Sequence, residues 1–124
     1  MRQVLSLLIG GVCAASLACA SSFAANYPEK SISLIVPFTA GGQTDIASRV
    51  LADALGQQLG QTVTATNRAG AGGAIGTAAM AAADPDGYTI GVTSSTPLLL
   101  KPHMSKTPYS IESFDYICRL FYNP

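Results

Sequence analysis

Between residues 31 and 100 the chain switches repeatedly between two rhythms of apolar and polar positions. Residues 31–36, Ser-Ile-Ser-Leu-Ile-Val, alternate weakly and then become continuously apolar, the pattern of a strand covered on both faces. Pro37 closes that run. From position 46 the residues Ile46, Ala47, Val50, Leu51, Ala54, Leu55 and Leu59 recur at helical spacing, with Arg49, Asp53 and Gln57 on the other side. This predicts an amphipathic helix that Thr44 or Asp45 caps and Gly60 stops. Residues 62–66 are rich in β-branched side chains and predict a second strand, and residues 74–83 a helix whose alanine surface, broken by Ile75 and Met80, suits close packing on a sheet. Asp84-Pro85-Asp86-Gly87 has the chemistry of a tight turn, because Pro presets one dihedral and Gly accepts a positive one. Residues 88–92 form the third predicted strand, which ends in Thr93-Ser94-Ser95-Thr96, and Pro97 can open a short helix.

The order strand, helix, strand, helix, strand with short connections implies an α/β fold in which right-handed crossovers build a parallel sheet. All three strands then finish on one edge, where open α/β sheets bind ligands. Two of these ends are glycine-rich: Ala40-Gly41-Gly42 before the first helix, and Arg68-Ala69-Gly70-Ala71-Gly72-Gly73 before the second. A helix start leaves backbone N–H groups unpaired and carries a partial positive charge, so two such turns side by side can hold an anion. Beyond this unit, Pro102, Pro108 and Ser110 imply loop from Lys101 onward, residues 111–114 suggest one helical turn, and residues 116–121 have strand composition. The apolar run just before Asn123-Pro124 leads us to expect a segment of a longer protein. At the other end, residues 26–30 read as an arm that Pro28 keeps extended at Tyr27.

Composition narrows the functional classes. With 48% hydrophobic and 11% charged residues the 124-residue chain is too apolar for disorder. Met1-Arg2-Gln3 followed by the apolar residues 4–17 reads as an export signal, with Ser22-Phe23-Ala24 suiting cleavage before Ala25 and Ala18-Cys19-Ala20 a second candidate. The apolar run falls short of the ~20 residues that a spanning helix needs. Cys19 is preceded by Ser16-Leu17-Ala18, a poor order for a lipidation motif. The expected division is therefore a signal peptide over residues 1–24, an α/β segment over 25–100, and a loop and strand over 101–124. Removing the signal takes away Arg2, Cys13 and Cys19, leaving six Lys/Arg against seven Asp/Glu and Cys118 as the sole thiol. No basic stripe for nucleic acid remains, nor any cysteine cluster for metal or disulfide.

Enzyme signatures fail one by one. In the second turn Ile75 stands where the third glycine of a dinucleotide fingerprint belongs, and no Gly-Lys-Ser/Thr phosphate loop exists. Gly-x-Ser-x-Gly is absent and the single histidine, His103, lies in the predicted loop. Ser94, Ser95 and Thr96 have no evident base, so they read either as ligand hydrogen-bond donors or as caps of the following turn. Asp45 reads as a cap, accepting from N–H groups in the first helical turn, or as a ligand contact. Arg68 pairs with a ligand carboxylate or is merely solvated. An exported serine hydrolase using Ser94 or Ser95 remains the rival reading, and it requires a histidine other than His103. A non-binding remnant of a receptor is the third.

The same residues carry a family resemblance. Tyr27-Pro28 with Lys30, Ile35-Val36-Pro37-Phe38 followed by Gly41-Gly42 and Asp45, Asn67-Arg68 with Gly70-Ala71-Gly72-Gly73 and Ile75-Gly76, and Pro85-Asp86-Gly87-Tyr88-Thr89 occur together in that order. This resembles the periplasmic solute-binding proteins of tripartite tricarboxylate transporters, the Bug or TctC-like receptors. The resemblance implies a two-lobed, type II periplasmic-binding-protein-like fold, of which this chain supplies the first part of lobe 1. It implies capture of a small di- or tricarboxylate or related organic acid without chemical change, handed to membrane permease subunits in the periplasm, with no cofactor, metal or catalytic residue. The ligand residues it implies are Ala40, Gly41, Gly42, Asp45, Arg68, Gly70, Gly72, Gly73, Ser94, Ser95 and Thr96. Gln43 and Ala69 depart from residues common in the family, without loss of a backbone donor.

Overall fold

The computed structural model describes residues 27–121. The expected export signal and cleavage sites, Cys13, Cys19, Asn26 and the last three residues lie outside the described residues. Three parallel strands form one sheet in the order β2-β1-β3: β1 is Ile32–Val36, β2 Val63–Asn67 and β3 Thr89–Gly91. The register pairs Leu34 with Ala65 on one side and with Ile90 on the other. Central β1 is covered on both faces, with Ile32, Leu34, Ile35 and Val36 all buried, which is why its sequence ends as an uninterrupted apolar run.

Helix α1, Gln43–Leu59, packs on the face that presents Leu34, through Ala52 with Val92, Leu51, Val63, Ala65 and Ile90 around it. Helix α2, Ala74–Ala81, covers the other face, since the space above Gly91 is filled by the Met80 side chain. The chain leaves β1 for an outer strand on one side and returns past β1 to β3 on the other. Right-handed crossovers in opposite directions put the two helices on opposite faces, with the turns after β1 and β2 side by side at the carboxyl ends of the strands. Thr64 and Thr66 on β2 stay exposed, α2 packing chiefly over β1 and β3.

Helix α1 ends as the sequence implies: Gly60 adopts a left-handed conformation and its N–H bonds Gly56 O at 3.0 Å. Its buried face differs from the expected one. Asp45, Ser48 and Ala52 point inward, whereas Ile46 and Val50 are 59% and 65% exposed. The helix is apolar on more than one stripe, and the inward stripe is chosen by a buried polar network rather than by bulk.

The predicted turn at Asp84-Pro85-Asp86-Gly87 is present, and the N-terminal arm is tied to it. Tyr27 Oη donates to Gly87 O at 2.7 Å, Glu29 N–H donates to Tyr88 Oη at 2.9 Å, and Lys30 pairs with Asp86 at 3.4 Å while lying 4.3 Å above the Tyr88 ring. The C-terminal part corrects two expectations. The short helix that Pro97 was expected to open is the π-helical turn Thr96–Leu100, and it runs directly into helix α3, Lys101–Met104, where loop was expected. The strand expected over residues 116–121 does not pair with anything among the described residues. A short 3₁₀ turn, Ile111–Ser113, stands where one helical turn was expected.

Candidate functional site

The three strand ends meet, and Gly73 marks the point. A Cβ there would lie 3.0 Å from Pro97 Cγ and 3.3 Å from Phe38 Cε1, so the turn after β1, the turn after β2 and the segment after β3 touch at one residue. Two further links hold them. Asn67 Nδ2 donates to Phe38 O at 3.1 Å, tying the first two ends together. Buried Thr77 donates from Oγ1 to Gly73 O at 2.9 Å and lies 3.4 Å from Thr93 Oγ1, tying the second to the third. Behind the third segment, buried Tyr109 donates from its hydroxyl to Pro97 O at 2.8 Å and stacks edge-on against Phe114. Burial raises the Tyr109 phenol above its ordinary pKa, so it remains a donor in the physiological range.

Asp45 is the organiser of the first turn. It is 3% exposed, and it sits inside the helix, where Gly42 occupies the N-cap without a side-chain cap bond. Its Oδ2 accepts from Gly41 N–H at 2.8 Å and from Arg49 Nε at 3.1 Å, and its Oδ1 accepts from Asn67 Nδ2 at 2.8 Å and lies 3.0 Å from Arg49 Nη2 in an ion pair. The capping expectation is thus corrected in detail: the N–H that Asp45 takes belongs to the turn before the helix, not to its first turn. The carboxylate also bridges to β2. These donors, Arg49 foremost, then Gly41 and Asn67, hold the Asp45 carboxyl at about 2 against an ordinary 3.8.

Since that value is lower in the folded state than in the unfolded chain, the stabilisation is complete above about pH 4 and is lost as pH falls through about 2. Thermal melts from pH 6 downward should therefore show the wild-type midpoint falling in that window. Asp45→Asn should melt lower at neutral pH and show a shallower fall below pH 4. Equal acid slopes for the two proteins would remove Asp45 from the account.

The network leaves a defined set of donors. Gly41 N–H is committed to Asp45 and Gly73 N–H to Gly70 O at 2.9 Å. Among the described residues no acceptor is found for the N–H groups of Gly42, Gln43, Thr44 and Asp45 in the first turn, or of Gly70, Ala71 and Gly72 in the second. Ala71, Gly72 and Gly73 all have positive φ, at 50°, 66° and 92°, so the second turn is a left-handed loop that includes a non-glycine residue. Half-buried Ser94 and exposed Ser95 and Thr96 have no side-chain hydrogen bond among the described residues, and the turn they precede has no side-chain cap. The capping alternative for these hydroxyls therefore does not hold.

Arg68 is exposed at the end of β2 and makes no ion pair among the described residues, while Ala40 is an exposed member of the first turn. His103 is exposed on α3 and bonds neither Ser94 nor Ser95, so the hydrolase alternative finds no base among the described residues. Sequence reasoning missed Asn67 and Lys101. Asn67 holds Asp45 from 22 positions away, a pairing no local pattern signals, and Lys101 lies over Gly72 because α3 forms where loop was expected. An open hollow lined by Ala52, Gly56, Gly60 and Val63 lies at the far end of α1 and β2 and shares nothing with this edge.

This α/β sheet, with two glycine turns converging on its carboxyl edge, superposes on part of solved periplasmic binding proteins and shares their fold. A solved structure described as a periplasmic transporter superposes with a TM-score of 0.65 at 42% identity, over 68% of this chain and 29% of that one. MatC from Rhodopseudomonas palustris, solved with bound malate, gives 0.58 at 30% identity over 68% and 29%. Protein BugT of Bordetella pertussis is 45% identical over 97 residues, 77% of this chain and 30% of BugT. Residues 47–124 match the model of the tripartite tricarboxylate transporter family receptor. The chain belongs to that family. It spans 30% and 32% of the lengths of the first two relatives.

Proposed function

We propose that this chain carries the first-lobe half of a carboxylate site in an extracytoplasmic solute-binding receptor. It is exported to the periplasm by residues 1–24 and delivers its ligand to the membrane permease of a tripartite tricarboxylate transporter. The observation that carries this reading is the convergence of three strand ends at Gly73 with unpaired N–H groups from two turns beside it. A carboxylate is the matching ligand: each oxygen accepts more than one N–H or O–H, and the positive ends of α1 and α2 favour its charge. Ser94, Ser95 and Thr96 supply hydroxyls from the third side, directly or through water. Nothing in the set is arranged to attack the bound acid, so the site captures and releases it unchanged.

The ligands are small organic acids, di- or tricarboxylates first, consistent with the malate bound by MatC. A second lobe closing over the same edge completes the enclosure, and closure is what the permease reads. The test is calorimetric titration of malate into two proteins: this chain, and this chain continued by the part of BugT beyond the matched region. Weak millimolar binding by the first and micromolar binding by the second are expected. Replacing Ser94, Ser95 and Thr96 together by alanine should weaken the second by about tenfold or more, the scale of one or two lost hydrogen bonds to a charged ligand. Absence of carboxylate binding in both proteins would overturn the reading.

A further inference from the structure

We infer that Lys101 is the charge-recognition residue of this site and sets its preference for doubly over singly charged carboxylates. The inference rests on the carboxylate reading above. The π-helical turn Thr96–Leu100 carries the chain back over the second glycine turn, and α3 begins with Lys101. A Cβ built on Gly72 would lie 3.3 Å from Lys101 Cε and 4.0 Å from its Nζ, so the lysine stem crosses the bare backbone of that turn and delivers the ammonium beside it. Gly72 has φ of +66° and no side chain, which leaves the lysine stem room above the backbone.

Electrostatically the placement is unfavourable without a ligand. The turn leads into the N-terminus of α2, whose dipole end is positive, and the N–H groups of Gly70, Ala71 and Gly72 have no acceptor among the described residues. The side chain of half-buried Lys101 is thus set against more positive charge. No acidic side chain compensates it among the described residues: Asp45 is engaged by Arg49, and Asp86 by Lys30. An anion placed there relieves the repulsion. The turn amides satisfy one carboxylate, which leaves the Lys101 ammonium for a second on the same molecule. Arg68, the cation within the turn itself, is exposed and makes no ion pair among the described residues.

The test is an amide NMR titration of the chain with succinate and, separately, butyrate, on the wild type, Lys101→Gln and Lys101→Arg. NMR detects millimolar binding, so a weak half-site suffices. The wild type is expected to prefer succinate, with the largest shifts at Ala71 and Gly72. Lys101→Gln should lose about tenfold in succinate affinity with butyrate unchanged, and Lys101→Arg should keep most of the preference. Unchanged succinate affinity in Lys101→Gln, or an equal loss for both acids, overturns the role of Lys101 while leaving the carboxylate site standing. If the wild type responds to neither acid, this inference falls, and the carboxylate reading is then decided by the titration of the protein completed by BugT.

Discussion

Replacing Gly76 by valine should keep α2 from docking on the sheet and lower stability by at least about 3 kcal/mol, at or beyond the usual range for overpacking a closed interior. A Cβ at position 76 would lie 2.6 Å from Arg68 O, from Pro37 Cα and from Pro37 Cβ. Two of those atoms are backbone, and neither segment can retreat: Val36 and Asn67 are register partners in the ladder, and Arg68 N–H bonds Val36 O at 2.8 Å. A flexible neighbour would swing aside, but a strand end fixed by hydrogen bonds would not. Domains are stable by only about 5–15 kcal/mol, so the loss is a large share of the total. Thr64→Val, on the exposed part of β2, is the control and should shift stability by no more than about 0.5 kcal/mol. Urea unfolding followed by circular dichroism measures both. A Gly76→Val protein with the wild-type midpoint would show that α2 does not pack through this residue.

The same glycine illustrates what the sequence makes legible. The continuous apolar run of β1, the β-branched run of β2, the Gly60 stop and the Asp84-Pro85-Asp86-Gly87 turn are local signals, each produced by residues adjacent in the chain, and the structure contains all of them. So is the alanine surface around Gly76, which signalled close packing before any partner was known. What escaped depends on residues far apart. The inward stripe of α1 was misread because Ile46 and Val50 outweigh Ser48 in hydrophobicity, yet Asp45 faces inward to meet Asn67 and Gly41. The strand order β2-β1-β3 follows from crossover direction, which no window of residues encodes. Residues 116–121 have strand composition without a neighbouring edge, and composition alone does not make a strand. Lys101 was hidden by Pro102, read as a sign of loop, whereas the helical turn opened at Pro97 continues through it.

The second large effect separates the site from the fold. Gly73→Val should destroy ligand binding while leaving the sheet intact, because the residue stands beyond the strands and at the meeting point of the three turns. Its φ of +92° is outside what a β-branched residue adopts without strain, and moving such a side chain into the left-handed region costs about 1–2 kcal/mol. The new atoms would also meet Pro97 Cγ at 3.0 Å and Phe38 Cε1 at 3.3 Å, and the cheapest relief is for the second turn to swing away from both. That movement takes the N–H groups of Gly70, Ala71 and Gly72 with it and pulls on the bond from Thr77 to Gly73 O. The core formed by Leu34, Ala52 and Val92 is not touched. Urea unfolding should therefore report a loss of about 2 kcal/mol with a native circular dichroism spectrum. Malate affinity in the protein completed by BugT should fall well beyond tenfold, since several donors leave together. Gly73→Ala, with the same backbone strain and less overlap, should lie between. A Gly73→Val protein that binds malate as the wild type does would mean that the meeting of the three strand ends is a packing contact only, and the binding edge would have to be sought elsewhere on the fold.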